Sequence, residues 1–114
     1  MRMVQKEFNQ IVEEQISMIK NLITNKGSEY ANTDVLSNFK QGAGFFENGT
    51  PEKTLYSYLV KHLVSIKNHC EGSIPLNSDK LKEKCLDNIV YSILLLAIQI
   101  EKENDQDTLH QLPK

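Results

Sequence analysis

The chain has no apolar stretch long enough to cross a bilayer, no cysteine pair at metal-binding spacing and no concentrated positive charge. Each absence removes a class of protein. The longest apolar run, Ile89 to Ile98 with Ser92 inside it, is about half of the roughly 20 residues that a spanning helix needs. The first residues, Met1-Arg2-Met3-Val4-Gln5-Lys6-Glu7, contain no apolar signal region. The protein is therefore expected to be soluble and cytoplasmic, without a membrane partner. Its two cysteines, Cys70 and Cys85, form no Cys-x-x-Cys element, which argues against a cysteine zinc site. In the cytosol both are expected to be reduced. The formal net charge is −2 with acidic and basic residues interspersed. A nucleic-acid binder would carry a basic stripe instead, so nucleic acid is not an expected partner. A small anion held by a local cluster remains compatible with this balance.

Local signatures of catalysis are also missing. No Ser-His-Asp or Cys-His nucleophile arrangement is visible, and the chain has only three histidines. Gln41-Gly42-Ala43-Gly44 is rich in glycine but follows no strand, so it is neither a phosphate loop nor a dinucleotide fingerprint. There is no internal repeat and no low-complexity block.

What the sequence does contain is helical periodicity. A chain of 114 residues with 39% apolar content fits one domain and can bury about two-thirds of its unfolded surface. Phe8, Ile11, Val12, Ile16, Ile19, Leu22 and Ile23 recur at helical spacing and predict a helix over Val4 to Asn25. Lys26-Gly27 suits its end, because glycine accepts the left-handed backbone of a helix stop. Asn32 or Thr33 can cap a short helix through Val35, Leu36 and Phe39, which Gln41-Gly42-Ala43-Gly44 breaks. Glu47-Asn48-Gly49 is a turn signal.

Thr50-Pro51-Glu52 is a sharp start for a third helix: threonine caps, proline suits the first helical position and glutamate complements the dipole. Leu55, Leu59, Leu63 and Ile66 form its stripe, which runs to about Cys70 before Gly72. Ser78 is expected to cap a fourth helix that becomes apolar nearly all round from Ile89 to Ile98. Such a helix must be covered on every side, which predicts a bundle centre or a subunit interface. The fold class is therefore all-α, a bundle of three long helices and one short helix over residues 1–104, assembled as a homo-oligomer. Residues 105–114 read as a polar tail.

Several side chains are candidates for chemistry. Glu83 and Asp87 lie one turn apart on one helical face, where they could share a divalent cation with another helix. The plainer reading is a solvated first turn that pairs with Lys80 and Lys84. Asp87 stands one turn from the apolar segment, and a buried carboxylate needs a partner. Lys61 and His62 are the candidate partners, and with His69 could instead hold a phosphate; alternatively Lys61 is solvated and His62 is a satisfied boundary histidine. Tyr91 follows Asp87 by four, so its hydroxyl can reach the same place or simply sit at the core edge. Glu29, Tyr30, Asn38 and Lys40 surround the second helix, as a ligand-facing loop or an ordinary polar connection.

Four segments carry a further reading: Lys26-Gly27-Ser28-Glu29-Tyr30-Ala31, Asp34-Val35-Leu36-Ser37-Asn38-Phe39, Leu59-Val60-Lys61-His62-Leu63-Val64-Ser65-Ile66 and Asp87-Asn88-Ile89-Val90-Tyr91. In order and spacing, across about Asn21 to Glu101, they resemble a family of small phage and prophage proteins. That family is related to the all-α, MazG-like nucleotide pyrophosphohydrolases and to the nucleotide-modification-associated domain. The resemblance implies a bundle that assembles by helix packing, in the host cytoplasm if the protein is phage-encoded. In active MazG-like enzymes, acidic clusters on two helices bind Mg2+ beside a nucleotide's phosphates. Glu83 and Asp87 look like the later cluster. The earlier one, a Glu-Glu-x-x-Glu run, is missing here: its helix carries Lys61, His62 and Lys67, with Glu52 and Glu71 near the ends. Glu13-Glu14 has the wrong spacing to replace it. A two-metal hydrolase needs enough carboxylates for both ions, so the departure counts against catalysis more than against the fold.

Two functions of different classes follow as expectations. One is a nucleotide-binding protein in which Lys61 and His62 contact phosphate, Asp87 orients them or holds one Mg2+ ion, and Tyr30, Asn38 and Tyr91 line the base or sugar. The other is a non-catalytic antagonist of a host defence system, which binds a host protein or sequesters a signalling nucleotide. A purely structural oligomer is a third possibility.

Overall fold

Helical periodicity without any alternating segment becomes four helices in the computed structural model, which describes the backbone of residues 2–29 and 34–111 and the side chains of 2–24 and 34–107. They are α1 (Gln5–Glu29), α2 (Ser37–Ala43), α3 (Pro51–Glu71) and α4 (Ser78–Gln111). The fold is all-α, with no strand among the described residues. Among these residues no helix is long and apolar enough to cross a membrane.

The chain falls into two units, Met1–Val35 and Leu36–Lys114. The first is α1. Its apolar residues Phe8, Ile11, Val12, Ile16 and Ile23 are exposed, since a lone helix has nothing in its own unit to cover its stripe. α1 runs through Gly27 to Glu29 instead of stopping near Asn25. A single glycine costs a helix interior only about 1 kcal/mol, too little to compel a stop. The Asn32 and Thr33 caps expected for the second helix lie outside the described residues.

The second unit is built from α2, α3 and α4. The ends of α3 follow from their residues. Thr50 Oγ1 accepts a hydrogen bond from the Lys53 backbone N–H at 3.2 Å, and Pro51 opens the helix. Gly72 closes it at φ +80°, the left-handed region, donating its N–H to the His69 carbonyl at 3.1 Å. α4 is capped by Asn77, one residue before the expected Ser78. The Asn77 Oδ1 accepts from the Lys80 N–H at 2.9 Å, and asparagine caps as well as serine does.

Two further boundaries differ from expectation. Gly42 does not break α2 but lies within it, pressed against α3. A Cβ there would stand 2.6 Å from Thr54 Cγ2, so the glycine serves close approach of the two helices. α4 continues to Gln111, through the segment expected to be tail. No glycine or proline interrupts residues 102–111, and Gln99 supports that stretch through a hydrogen bond from Nε2 to Glu103 at 3.1 Å. The expected turn is present, with Asn48 in the left-handed region at φ 57°.

The core of this unit joins α2 and α3 to α4. Leu36, Phe39, Leu55 and Ile98 are buried together, with Tyr91, Leu94 and Ala97 packed against them. Leu55 is fully buried, and each such side chain contributes about 1.5–3 kcal/mol. Ion pairs flank the core, Lys102 Nζ to Glu52 at 2.5 Å and Lys40 Nζ to Glu101 at 2.8 Å. α4 presents Tyr91, Leu94 and Ile98 to this core. On its opposite side Ile89, Ile93, Leu96 and Ile100 are exposed. The helix expected to be covered all round is thus covered on one side within its own unit.

Candidate functional site

The most concentrated chemistry in the second unit lies along the seam of α3 and α4. Tyr58 and His62 are one turn apart on α3, and Asp87 and Tyr91 are one turn apart on α4. The two helices run antiparallel, so each tyrosine meets a tyrosine and the histidine meets the aspartate. The Tyr58 and Tyr91 rings are near parallel, 10° apart with centroids 6.4 Å apart. The His62 ring lies 5.3 Å from that of Tyr91, and its Nδ1 is 3.8 Å from Asp87 Oδ2. Phe39 of α2 meets Tyr58 edge-on at 6.2 Å. A ladder of rings therefore leads from the apolar core to the imidazole and the carboxylate.

This group is partly withdrawn from water. The His62 side chain is 18% exposed and that of Asp87 is 31% exposed. His62 Nδ1 itself is buried and makes no hydrogen bond within the protein. Its 3.8 Å separation from Asp87 is too long for a hydrogen bond but close enough for charge attraction when the imidazole is protonated. Burial, then the nearby charges of Asp87 and Tyr58, push the Tyr91 phenol above its ordinary value of 10.0. At neutral pH Tyr91 is therefore an uncharged hydroxyl, able to donate to an anionic acceptor.

Other expected site residues stand apart from this group. Lys61 is exposed on α3, about 100° around the helix from its neighbour His62. Glu83 is exposed and faces Lys80, whose Nζ lies 3.4 Å from Glu83 Oε2. The two carboxylates thus have different nearest partners, an exposed lysine for Glu83 and an imidazole for Asp87. Among the described residues no group of three or more His, Cys, Asp and Glu side chains is placed to hold a metal. Asn38 is exposed on α2. Tyr30 lies outside the described residues.

The other histidine considered for a phosphate site has a structural task. His69 Nδ1 accepts a hydrogen bond from the Leu76 N–H at 2.8 Å, which fastens the connector between α3 and α4. Ser65 is likewise used locally, its Oγ donating to the Lys61 carbonyl at 3.2 Å. Sequence reasoning missed Tyr58. The signal was present, because Tyr58 precedes His62 by the same helical turn that separates Asp87 from Tyr91. No protein-family model, curated protein or solved structure matches this chain.

Proposed function

We propose that this protein is a ligand-binding helical protein that takes a nucleotide against the α3–α4 seam without hydrolysing it. The reading is carried by the His62–Asp87–Tyr91 group: a half-buried imidazole with an unsatisfied Nδ1, a carboxylate 3.8 Å away and a neutral phenol beside both. In this reading the exposed Tyr58 ring, beside Tyr91, offers a face to the flat base, because aromatic side chains and bases stack. His62, steadied by Asp87, meets the phosphate, and Lys61 is proposed as a flanking charge from the neighbouring, exposed side of α3. Asn38 and Tyr30 remain proposed for the base or sugar side. The lack of a second acidic cluster on α3, which carries Lys61, His62 and Lys67 there, supports binding over hydrolysis, since metal-assisted attack needs enough carboxylates to share ions. A magnesium ion, where one takes part, would travel with the phosphates.

The test is a thermal-shift and calorimetric screen of the full chain against nucleoside mono-, di- and triphosphates and cyclic nucleotides, with and without magnesium. A ligand at a hundred times its Kd stabilises by about 2.7 kcal/mol, on the order of 10 °C for a domain of this size. The shift should vanish in His62→Ala and shrink in Lys61→Ala. Absence of any shift sinks the nucleotide site, and release of phosphate or pyrophosphate sinks the non-hydrolytic part.

A second reading is an interaction module, such as a phage antagonist that occupies a host protein. The observation favouring it is exposed apolar surface: Ile89, Ile93, Leu96 and Ile100 on α4, and Phe45 and Phe46, 85% and 69% exposed, after α2. Contiguous patches of this kind mark association sites. Capture of one stoichiometric host protein, unchanged by Asp87→Ala, would favour it over the nucleotide site. The same α4 surface supports assembly into a homo-oligomer.

A further inference from the structure

We propose that the outer face of α4 pairs antiparallel with the same face of a second copy, about a two-fold axis level with the Leu94–Leu95 peptide. This rests on the homo-oligomeric reading of α4 and adds the partner, the orientation and the register.

Ile89, Ile93, Leu96 and Ile100 alternate spacings of four, three and four. That is the seam of two packed helices. At about 100° per residue the four side chains fall within roughly 60° of arc, opposite the side that Leu94 and Ile98 turn to the core. They are 40%, 42%, 64% and 54% exposed, so nothing within their own unit occupies this seam. Continued at the same alternation, the stripe passes Leu86, which is buried within the unit, to reach Lys82, and passes Glu103 to reach Asp107; Lys82, Glu103 and Asp107 are exposed.

The charges at its two ends make this face complementary to a second copy of itself, and they decide the direction. In a parallel pair in register, Lys82 would face the partner's Lys82 and Asp107 the partner's Asp107, which is repulsive at both ends. In the antiparallel pair the residues match about the midpoint. Ile93 meets the partner's Leu96, Ile89 meets the partner's Ile100 and Lys82 meets the partner's Asp107. Glu103, one turn before Asp107 and exposed, adds negative charge near the partner's Lys82. Residues 101–107 of α4 carry Glu101, Glu103, Asp105 and Asp107 against Lys102, an acidic end set at the negative pole of its own helix dipole. An antiparallel neighbour brings the positive pole of its helix to that end. The seam from Lys82 to Asp107 is about 38 Å long at 1.5 Å per residue, a length that allows a contact of the usual dimer size, about 800 Å² per partner. It lies on the side of α4 away from Tyr91, so assembly and ligand binding use different faces.

The test combines mass with one distance. Light scattering of the full chain should give at least twice 13.1 kDa, and Leu96→Asp should return it to monomer with helicity by circular dichroism unchanged. In the Cys70→Ser chain a spin label on the exposed Cys85 sits level with the partner's Asn104, so the label-to-label distance should be about 30 Å at 1.5 Å per residue. Lys82→Asp alone should weaken the dimer by about tenfold, and adding Asp107→Lys should restore it. A monomeric wild-type chain overturns both the oligomer and this register. An oligomer that resists Leu96→Asp, or in which the Cys85 labels lie within about 15 Å, overturns the antiparallel α4 pair alone.

Discussion

Nδ1 of His62 stands 3.8 Å from Oδ2 of Asp87 across the seam of α3 and α4. The contact joins two helices through side chains that are 18% and 31% exposed, so solvent screens it only in part. A double-mutant cycle of His62→Gln and Asp87→Asn, followed by urea denaturation near pH 6, should give a coupling of about 0.5–1 kcal/mol. A coupling near zero would mean that the two side chains act independently and that Asp87 does not orient the imidazole.

Tyr91 offers an optical readout of the same place. Its phenol is raised above 10.0, first by burial and then by the charges of Asp87 and Tyr58. In the unfolded chain the phenol ionises first, so this group's contribution turns against the folded state once pH passes about 10. Ultraviolet titration of wild type minus Tyr91→Phe should show one phenol with a raised midpoint. Asp87→Asn should lower that midpoint without bringing it to 10.0, because burial is the larger cause. A midpoint at 10.0 in the wild type would place Tyr91 in open water.

Glu52 and Lys102 tie α3 to α4 at the end of the core. The hydrogen bond from Lys102 is the main reason that Glu52 stays below its ordinary 4.5, against a smaller opposing effect of burial. A carboxyl lowered by folding stabilises above its unfolded value, and that stability is lost as pH falls through the folded value. Lys102→Ala should therefore lower Tm at pH 7 by a few degrees and much less at pH 3. Equal losses at both pH values would assign the effect to packing of the lysine stem instead.

Gly42 and Thr54 set how closely α2 lies on α3. Gly42→Ala places a methyl group 2.6 Å from Thr54 Cγ2, and overpacking of this kind costs about 1–3 kcal/mol. Thr54→Ser removes Cγ2 while keeping the hydroxyl that donates to the Thr50 carbonyl at 3.2 Å. The double variant should recover most of the loss in denaturant midpoint. A stabilising Gly42→Ala, as helix propensity alone would give, would show that the helices can separate at no cost.

Much of the secondary structure was legible because its causes are local. Thr50, Pro51 and Gly72 mark the ends of α3, and each acts on backbone within a few residues. The stripe through Leu55 was visible for the same reason. Harder to read were features whose causes are distant. Gly42 looked like a breaker, and its use emerged only from Thr54 on another helix. His62 and Asp87 were each suspected of needing a partner, and Asp87 already looked more withdrawn than Glu83, but a metal shared with Glu83 and a pair with His62 could not be told apart. Lys61, adjacent to His62, points elsewhere because neighbours on a helix share no face. Tyr58 was overlooked because it lies beside the stripe of Leu55 and Leu59 and its role shows only once the ring facing it is known.

The sequence by itself determined that this chain is helical, where α3 begins and ends, and that α4 carries more apolar surface than one neighbour can cover. These depend on capping groups, backbone freedom and the 3.6-residue repeat, which act along the chain. Tertiary structure alone decided that His62 faces Asp87, that Tyr58 stacks near Tyr91, and which side of α4 stays exposed within its unit. Those outcomes depend on the register of α3 against α4, and register is set by Leu55, Phe39, Leu36 and Ile98 fitting together in one buried cluster. No local signal encodes that fit, because it is a property of surfaces brought together from distant parts of the chain.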